Sequence, residues 1–234
     1  MLKSRRNPAL IVPAAAILLL GLSSCGSSVP DASEIFPKTT EAVKNAESVA
    51  INGDVVQDGK DLSIDISGTR DGSNSLAKAT QDQGKVTILT VDETAYLKAN
   101  KDFWNENAGE GAGEMLSSLA GDKWISVADP EEFNEFSVGS MLDSLLEEGP
   151  EDSDLEEYTD KSVEEVDGQE AYKYANGDKA FWVASEGEPY LLKVEGFSDE
   201  KDSDDGGAVT FSDWNDVDEH EAPSKDETMS IPGL

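Results

Sequence analysis

The sequence predicts an α+β protein built on an antiparallel sheet. Apolar and polar residues alternate with a period of two through residues 49–99 and again through residues 161–214. Turn pairs such as Asp58-Gly59 and Asp167-Gly168 divide these runs at hairpin spacing. Between the two runs, apolar residues recur at helical spacing. We therefore expect two meanders of consecutive strands, with helices packed against them.

The N-terminal segment has the composition of an export signal. Basic residues lie in 1–6, an apolar run follows in 9–22, and small residues lead to Cys25, the sole cysteine. The residues Leu22-Ser23-Ser24-Cys25 are similar to the bacterial lipobox. That resemblance implies cleavage before Cys25 and a diacylglyceryl-cysteine anchor. The alternatives are a transmembrane helix, for which the run is short and interrupted by Pro13, and an ordinary signal peptide with a cysteine near the cut.

The charge of the chain limits its partners. The formal charge is −32, and residues 1–24 hold three basic and no acidic residues, so it becomes −35 without them. Nucleic acid is strongly disfavoured as a partner, because lysine and arginine must neutralise its phosphates and here acidic residues outnumber them by 50 to 18. Anionic headgroups are repelled as well, so membrane attachment depends on acyl chains. The acidity is also typical of a salty habitat. A single cysteine excludes an internal disulfide.

The domain plan follows from composition and periodicity. We expect a signal peptide in 1–24, a flexible tether in 25–33, one domain in 34–216 and an acidic, disordered tail in 217–234. A first helix is predicted over 38–48, with Pro37 near its start. The predicted strands of the domain are 49–55, 62–66, 75–81, 85–91, 95–99, 163–166, 170–174, 179–184, 190–196 and 208–214.

The centre of the chain is an acidic run that contains a helix. Twelve Asp or Glu and no Lys or Arg lie between Asp129 and Glu157. Within this run, one helical face is formed by Met141, Leu142, Leu145 and Leu146. The helix is either packed on the sheet with a solvated acidic side or a mobile cover over a cavity.

The order of these elements resembles the LppX/LprG-type lipoproteins of actinobacteria, which are LolA-like. The resemblance is carried by Tyr96-Leu97-Lys98, Phe103-Trp104, 121–127, Val166-Asp167-Gly168-Gln169, 181–183 and 209–214. It implies a strongly curved antiparallel sheet, a half-barrel, whose concave face is covered by helices over an apolar cavity. It also implies binding and transfer of acyl-chain lipids or glycolipids.

The strand pattern indicates which residues could line such a cavity. The candidate ligand-binding residues are apolar positions of predicted strands and of the central helix: Ile64, Ile66, Leu89, Val91, Leu97, Met141, Leu145, Tyr190, Leu192 and Val194. The alternative is that these side chains fill a closed core.

The residue types and their spacing give little support for catalysis or metal binding. His220 is the only histidine and lies in an acidic run, and the acidic loop 199–207 does not fit the calcium-loop spacing. No folded histidine is present to activate a serine, so we expect no enzyme, no cofactor and no metal. Carboxylate pairs are numerous enough to arise by chance. The four tryptophans are interpreted as core anchors rather than sugar platforms.

Two functional hypotheses remain. The first is a monomeric lipoprotein on the outer face of the plasma membrane that binds and transfers lipid through an apolar cavity. The second is an envelope interaction or sensor module that recruits a cationic partner through its acidic surface.

Overall fold

The computed structural model describes residues 28–231 except 58, 110, 128–132, 134–135, 148, 152 and 197–205. Cys25 and the predicted signal peptide lie outside the described residues. The helices are α1 (Ala32–Asn45), α2 (Lys101–Ala108), α3 (Ala112–Ala120) and α4 (Val138–Glu147). The strands are β1 (Ser48–Gln57), β2 (Lys60–Thr69), β3 (Asn74–Gln81), β4 (Gly84–Val91), β5 (Thr94–Ala99), β6 (Trp124–Val127), β7 (Asp160–Val166), β8 (Gln169–Asn176), β9 (Lys179–Ala184), β10 (Leu191–Glu195), β11 (Gly206–Ser212) and β12 (Thr228–Met229).

All the strands of the described part form one open sheet. Its order is β12-β6-β5-β4-β3-β2-β1-β11-β10-β9-β8-β7, so β12 and β7 are its edges. Neighbouring strands are antiparallel except β12, which pairs parallel with β6. The predicted α+β class and the two meanders are confirmed. The short parallel edge makes the sheet mixed, which the sequence did not indicate.

Strand register defines the face on which the helices pack, here called the inner face. Directly paired residues stand on the same face of a sheet, and one such row crosses six strands. The row consists of Phe211, Ile51, Ile66, Ala77, Ile88 and Leu97. Val43 of α1, Trp104 of α2 and Leu142 of α4 belong to the same buried cluster. The helices therefore share one core with the inner face.

The second half of the sheet is packed around Phe181 of β9. Its ring stacks on Tyr174 at a centroid distance of 5.0 Å, makes a T-shaped contact with Phe36 at 5.4 Å and a tilted contact with Tyr158 at 5.2 Å. A second buried cluster lies on the outer face of the same strands around Trp182. Strand β9 is consequently buried on both of its faces.

The N-terminal segment is fixed to the domain, which corrects the predicted flexible tether over 25–33 in its described part. Val29 packs against the core, and the Tyr174 hydroxyl donates a hydrogen bond to the Pro30 carbonyl at 3.2 Å. Helix α1 begins at Ala32, six residues before the predicted start. Pro37 thus lies inside the helix, next to Ile35, which is buried, and Phe36, which packs against the core.

The predicted disordered tail is ordered through residue 231, which is a second correction. The Asn74 side chain donates to the His220 carbonyl at 2.8 Å and accepts from the His220 amide at 2.8 Å. The tail then reaches β6, where β12 adds two paired residues. Its order comes from these contacts with the sheet, which acidic composition did not reveal.

Candidate ligand-binding site

A cavity of about 230 Å³ lies over the inner face of β3 and β4. Ala77 and Ile88 are paired across these strands and form its floor. Phe133, Phe136 and Ser137, which precede α4, form its other side. The cavity therefore occupies the space between the sheet and the segment that leads into a covering helix. The remaining lining is polar: Asp71, Gly72, Ser73, Ser75, Thr90 and Asp92.

The polar rim is organised by Asp71 in the β2–β3 turn. Its Oδ1 accepts hydrogen bonds from the Ser73 amide at 3.0 Å, the Ser73 hydroxyl at 2.8 Å and the Thr69 hydroxyl at 2.7 Å. The Ser73 amide bond is the main cause that lowers the pKa of Asp71, followed by the hydroxyl bonds of Thr69 and Ser73. Asp71 is therefore charged at neutral pH. The rim presents negative charge beside an apolar floor.

Helix α4 covers the inner face next to this cavity. Val138 and Leu142 are buried, whereas Met141, Leu145 and Leu146 are only partly buried against the core. Gly139 lies so close to β2 that a Cβ at this position would come within 2.3 Å of the Arg70 carbonyl oxygen. Glycine is needed here for the close approach of two backbones.

Arg70 connects α4 to the rest of the fold. Its Nη1 donates to the Val43 carbonyl at the end of α1 at 3.0 Å, and its Nη2 forms an ion pair with Asp143 of α4. Asp143 is 63% exposed, so the ion pair is a weak fastening that solvent and salt screen. The helix is held by a few buried apolar contacts and one exposed pair.

A second, apolar cleft lies between α1, the end of α4 and strands β9 and β10. Its walls include Phe36, Leu145, Phe181 and Val194, but its volume is only about 20 Å³. That volume holds about one water molecule. In this half of the molecule the space between sheet and helices is filled by side chains.

The structure divides the ten predicted wall residues between the two faces. Ile66, Leu97 and Val194 lie on the inner face in the main core, and Ile64 shares their face by register. Met141 and Leu145 of α4 pack against the same core. Leu145 and Val194 line the 20 Å³ cleft. None of the ten lines the 230 Å³ cavity.

Leu89, Val91 and Leu192 stand on the outer face, which corrects their assignment as inward positions. Leu89 pairs with Leu76 and Tyr96, the row next to the inner Ala77–Ile88–Leu97 row. The reason is that β4 carries apolar residues on both faces, so alternation alone does not select one. Leu192 joins the outer cluster because the register between β9 and β10 shifts at this point.

Tyr190 lies just before β10 and outside the candidate cavity. Its ring stacks on Trp214 at 4.9 Å, and its hydroxyl accepts a hydrogen bond from the Asn215 side chain at 2.6 Å. Tyr190 therefore fixes the segment that follows β11. The indole of Trp214 donates to the Leu191 carbonyl at 2.9 Å, so this tryptophan is a structural anchor.

The cavity residues that sequence reasoning missed are Ala77, Ile88, Phe133 and Phe136. Alanine at position 77 gives no strong apolar signal. Ile88 lies on the face of β4 opposite to the predicted wall residues Leu89 and Val91. Phe133 and Phe136 are three residues apart and are the two phenylalanines of the acidic run. That spacing in an otherwise polar segment was the available signal.

Among the described residues, no group of three or more His, Cys, Asp or Glu side chains is arranged to hold a metal ion. The His220 ring contacts the Ser67 hydroxyl at 3.1 Å, in a structural contact with β2. No helix in the described part of the chain is long and apolar enough to cross a bilayer.

The fold and cavity define an α+β protein whose helices cover one face of an open sheet. Among solved structures, this architecture is similar to LprF from Mycobacterium bovis, with a TM-score of 0.50 and 15% identity over 81% of this chain and 96% of LprF. The lipoprotein LppX from Mycobacterium tuberculosis gives a TM-score of 0.46 and 14% identity over 80% and 96% of the two chains. An uncharacterised Thermus thermophilus protein gives 0.33 and 9% over 86% and 99%.

The likeness to LprF confirms, at the level of the fold, the resemblance to LppX/LprG-type lipoproteins that the sequence indicated. No protein-family profile and no curated protein sequence matches the chain. At 15% identity the likeness to LprF concerns the curved-sheet fold alone. The site must be interpreted from its own residues.

Proposed function

We propose that this chain is an envelope lipoprotein that binds acyl-chain lipids on the inner face of its sheet and transfers them without chemistry. The observation that carries the proposal is the 230 Å³ cavity between an apolar floor, Ala77 and Ile88, and the phenylalanines before α4. An apolar floor binds hydrocarbon by removing it from water, and a polar rim can orient a headgroup at the mouth.

The cavity must enlarge to hold a full acyl chain. Pockets for drug-sized ligands have volumes of roughly 300–1,000 Å³, and the cavity of 230 Å³ is smaller. We propose that α4, together with Phe133 and Phe136, moves outward when lipid enters. The partly buried side chains of α4 and its ion pair with Arg70, in which Asp143 is 63% exposed, make this cover easier to displace than a fully buried helix.

Attachment to the outer face of the plasma membrane is proposed from the lipobox. A diacylglyceryl group on Cys25 would supply two chains, and two chains anchor stably where one is marginal. A domain with a formal charge near −35 gains no attraction from anionic headgroups, so the acyl chains would be its main attachment. We propose that the anchored protein acts as a monomer.

The test compares substitutions on the two faces of one strand. Ala77→Trp fills the cavity, whereas Leu76→Trp places the same side chain on the outer face of β3. Thr90→Trp is a second cavity variant at the more tolerant rim. Uptake of a fluorescent fatty acid is measured for each protein by titration. Thermal unfolding confirms that each variant is folded.

The proposal expects saturable uptake by the unaltered protein and by Leu76→Trp, with a several-fold loss in Ala77→Trp and Thr90→Trp. Native mass spectrometry of the protein purified from its own host should show co-purified lipid. Absence of bound lipid together with no uptake would contradict the proposal. A partner that binds the protein and is released by high salt would then support the acidic interaction module.

A further inference from the structure

The chain joins the folded domain only a few residues after Cys25 in the sequence. Val29 is packed against the core, and the Pro30 carbonyl accepts a hydrogen bond from Tyr174. Asp31 Oδ1 lies 2.6 Å from the Lys161 ammonium at the start of β7. Three successive residues are thus fixed beside strands β7 and β8.

This attachment limits the distance between the lipid and the domain. Ser28 is three residues after Cys25, and three fully extended residues span at most about 11 Å. That reach is close to the Debye length of about 8–10 Å at physiological salt. An acylated Cys25 at the edge of the hydrocarbon would therefore hold the β7–β8 side of the domain within the headgroup layer or directly above it.

The surface at this place is suited to lie against headgroups. β7 is an edge strand, and Val163 is one of the large apolar side chains exposed in the described structure, at 48%. Val163 stands on the same face of β7 as Lys161, two residues earlier, and opposite Tyr172 on β8. An apolar side chain therefore projects beside the anchored N-terminal segment.

Two ion pairs lie at this edge. Lys161 pairs with Asp31, and Lys173 pairs with Glu164 at 3.2 Å. β7 also carries Asp160 and Glu165, so the edge remains acidic and its charge does not select anionic lipid. The occupant is indicated by the short length of chain between Cys25 and Ser28.

We infer that the β7 edge, with Val163 and residues 29–31, is the membrane-facing surface of the domain. Its occupant is the headgroup layer of the bilayer that holds the acyl chains of Cys25, so the inference rests on the proposed lipid anchor. It adds an orientation that the anchor alone does not give. The domain is held by one defined edge rather than tumbling on a long tether.

The experiment labels single cysteines in the full lipidated protein. Because Cys25 is the sole native cysteine and is acylated in this account, an introduced cysteine is labelled selectively. Val163→Cys reports on the proposed surface. Met115→Cys is the control, because Met115 is 64% exposed on α3, and α3 contacts α2, which lies against β4 in the other half of the sheet. Both are labelled with a small fluorophore and bound to phosphatidylcholine vesicles containing a lipid with a spin-labelled headgroup.

The expected result is several-fold stronger quenching at position 163 than at position 115. Insertion of ten Gly/Ser residues after Gly26 should remove most of this difference, since a flexible segment of that length lets the domain leave the surface. Equal quenching at the two positions in a vesicle-bound, lipidated protein would overturn the orientation and leave the anchor intact. An intact mass without lipid and no flotation with vesicles would overturn both.

Discussion

The two halves of the sheet are packed in different ways. Around β9, Phe181 and Trp182 are buried on opposite faces, and the space between sheet and helices is reduced to about 20 Å³. Around β3 and β4, one face carries the core, and 230 Å³ remains between Ile88 and the approach to α4. The comparison teaches that one half is a solid support, while the other has the room and the weaker cover that binding requires.

The largest expected effect is in the solid half. Phe181→Ala should lower the free energy of unfolding by about 3–5 kcal/mol, because it removes the ring that three other aromatic residues contact. Ile88→Ala should cost about 2 kcal/mol, since its side chain already borders a cavity. Urea unfolding at neutral pH measures both. An equal loss of unfolding free energy in the two variants would contradict the difference in packing between the two halves.

A smaller effect is expected where α4 meets β2. Gly139→Val should cost about 1–3 kcal/mol, because its Cβ would lie 2.3 Å from the Arg70 carbonyl oxygen and push the helix outward. Fatty-acid uptake should become faster at the same time. The control is Ser144→Val at an exposed position of the same helix. Slower uptake in Gly139→Val than in this control would show that α4 is not the cover that moves.

The contacts of Arg70 with α1 and α4 should contribute less to the stability of the fold than the close packing at Gly139. Arg70→Met keeps an apolar stem but removes the hydrogen bond to Val43 and the ion pair with Asp143, at a cost of about 1–2 kcal/mol. We expect faster dissociation of bound fluorescent fatty acid with little change in secondary structure. Stopped-flow displacement measures this rate. Lys78→Met, which removes a β2–β3 surface pair with Asp65, should leave the rate unchanged.

The smallest effect concerns pH and the outer face of the solid half. The Trp182 indole donates to Glu164 at 3.0 Å and is the main cause that lowers the pKa of Glu164 below its ordinary 4.5. A lowered folded pKa stabilises the fold above the unfolded value, and this contribution is lost as pH falls through the folded pKa. Glu164→Gln should therefore be less stable than the unaltered protein at neutral pH. The difference should shrink in thermal unfolding below about pH 4.5. A difference that grows on acidification would contradict this.

The sequence predicted the fold well because strand alternation and hairpin turns report on local structure. It predicted the site poorly because the choice between Ile88 and Leu89 depends on which face the helices cover. Neither the docking of Val29 nor the pairing of His220 with Asn74 has a local signature, since both join residues distant in sequence. The order of the two terminal segments could therefore be recognised only from the three-dimensional contacts.

The central claim is that lipid enters at the inner face of β3 and β4. Photocrosslinking tests it directly, using a fatty acid with a diazirine in its chain and peptide mapping of the labelled protein. The account predicts saturable labelling of Ala77, Ile88 and the segment around Phe133 and Phe136, and loss of that labelling in Ala77→Trp. Labelling confined to the outer-face row of Leu76 and Leu89, unchanged in Ala77→Trp, would contradict it.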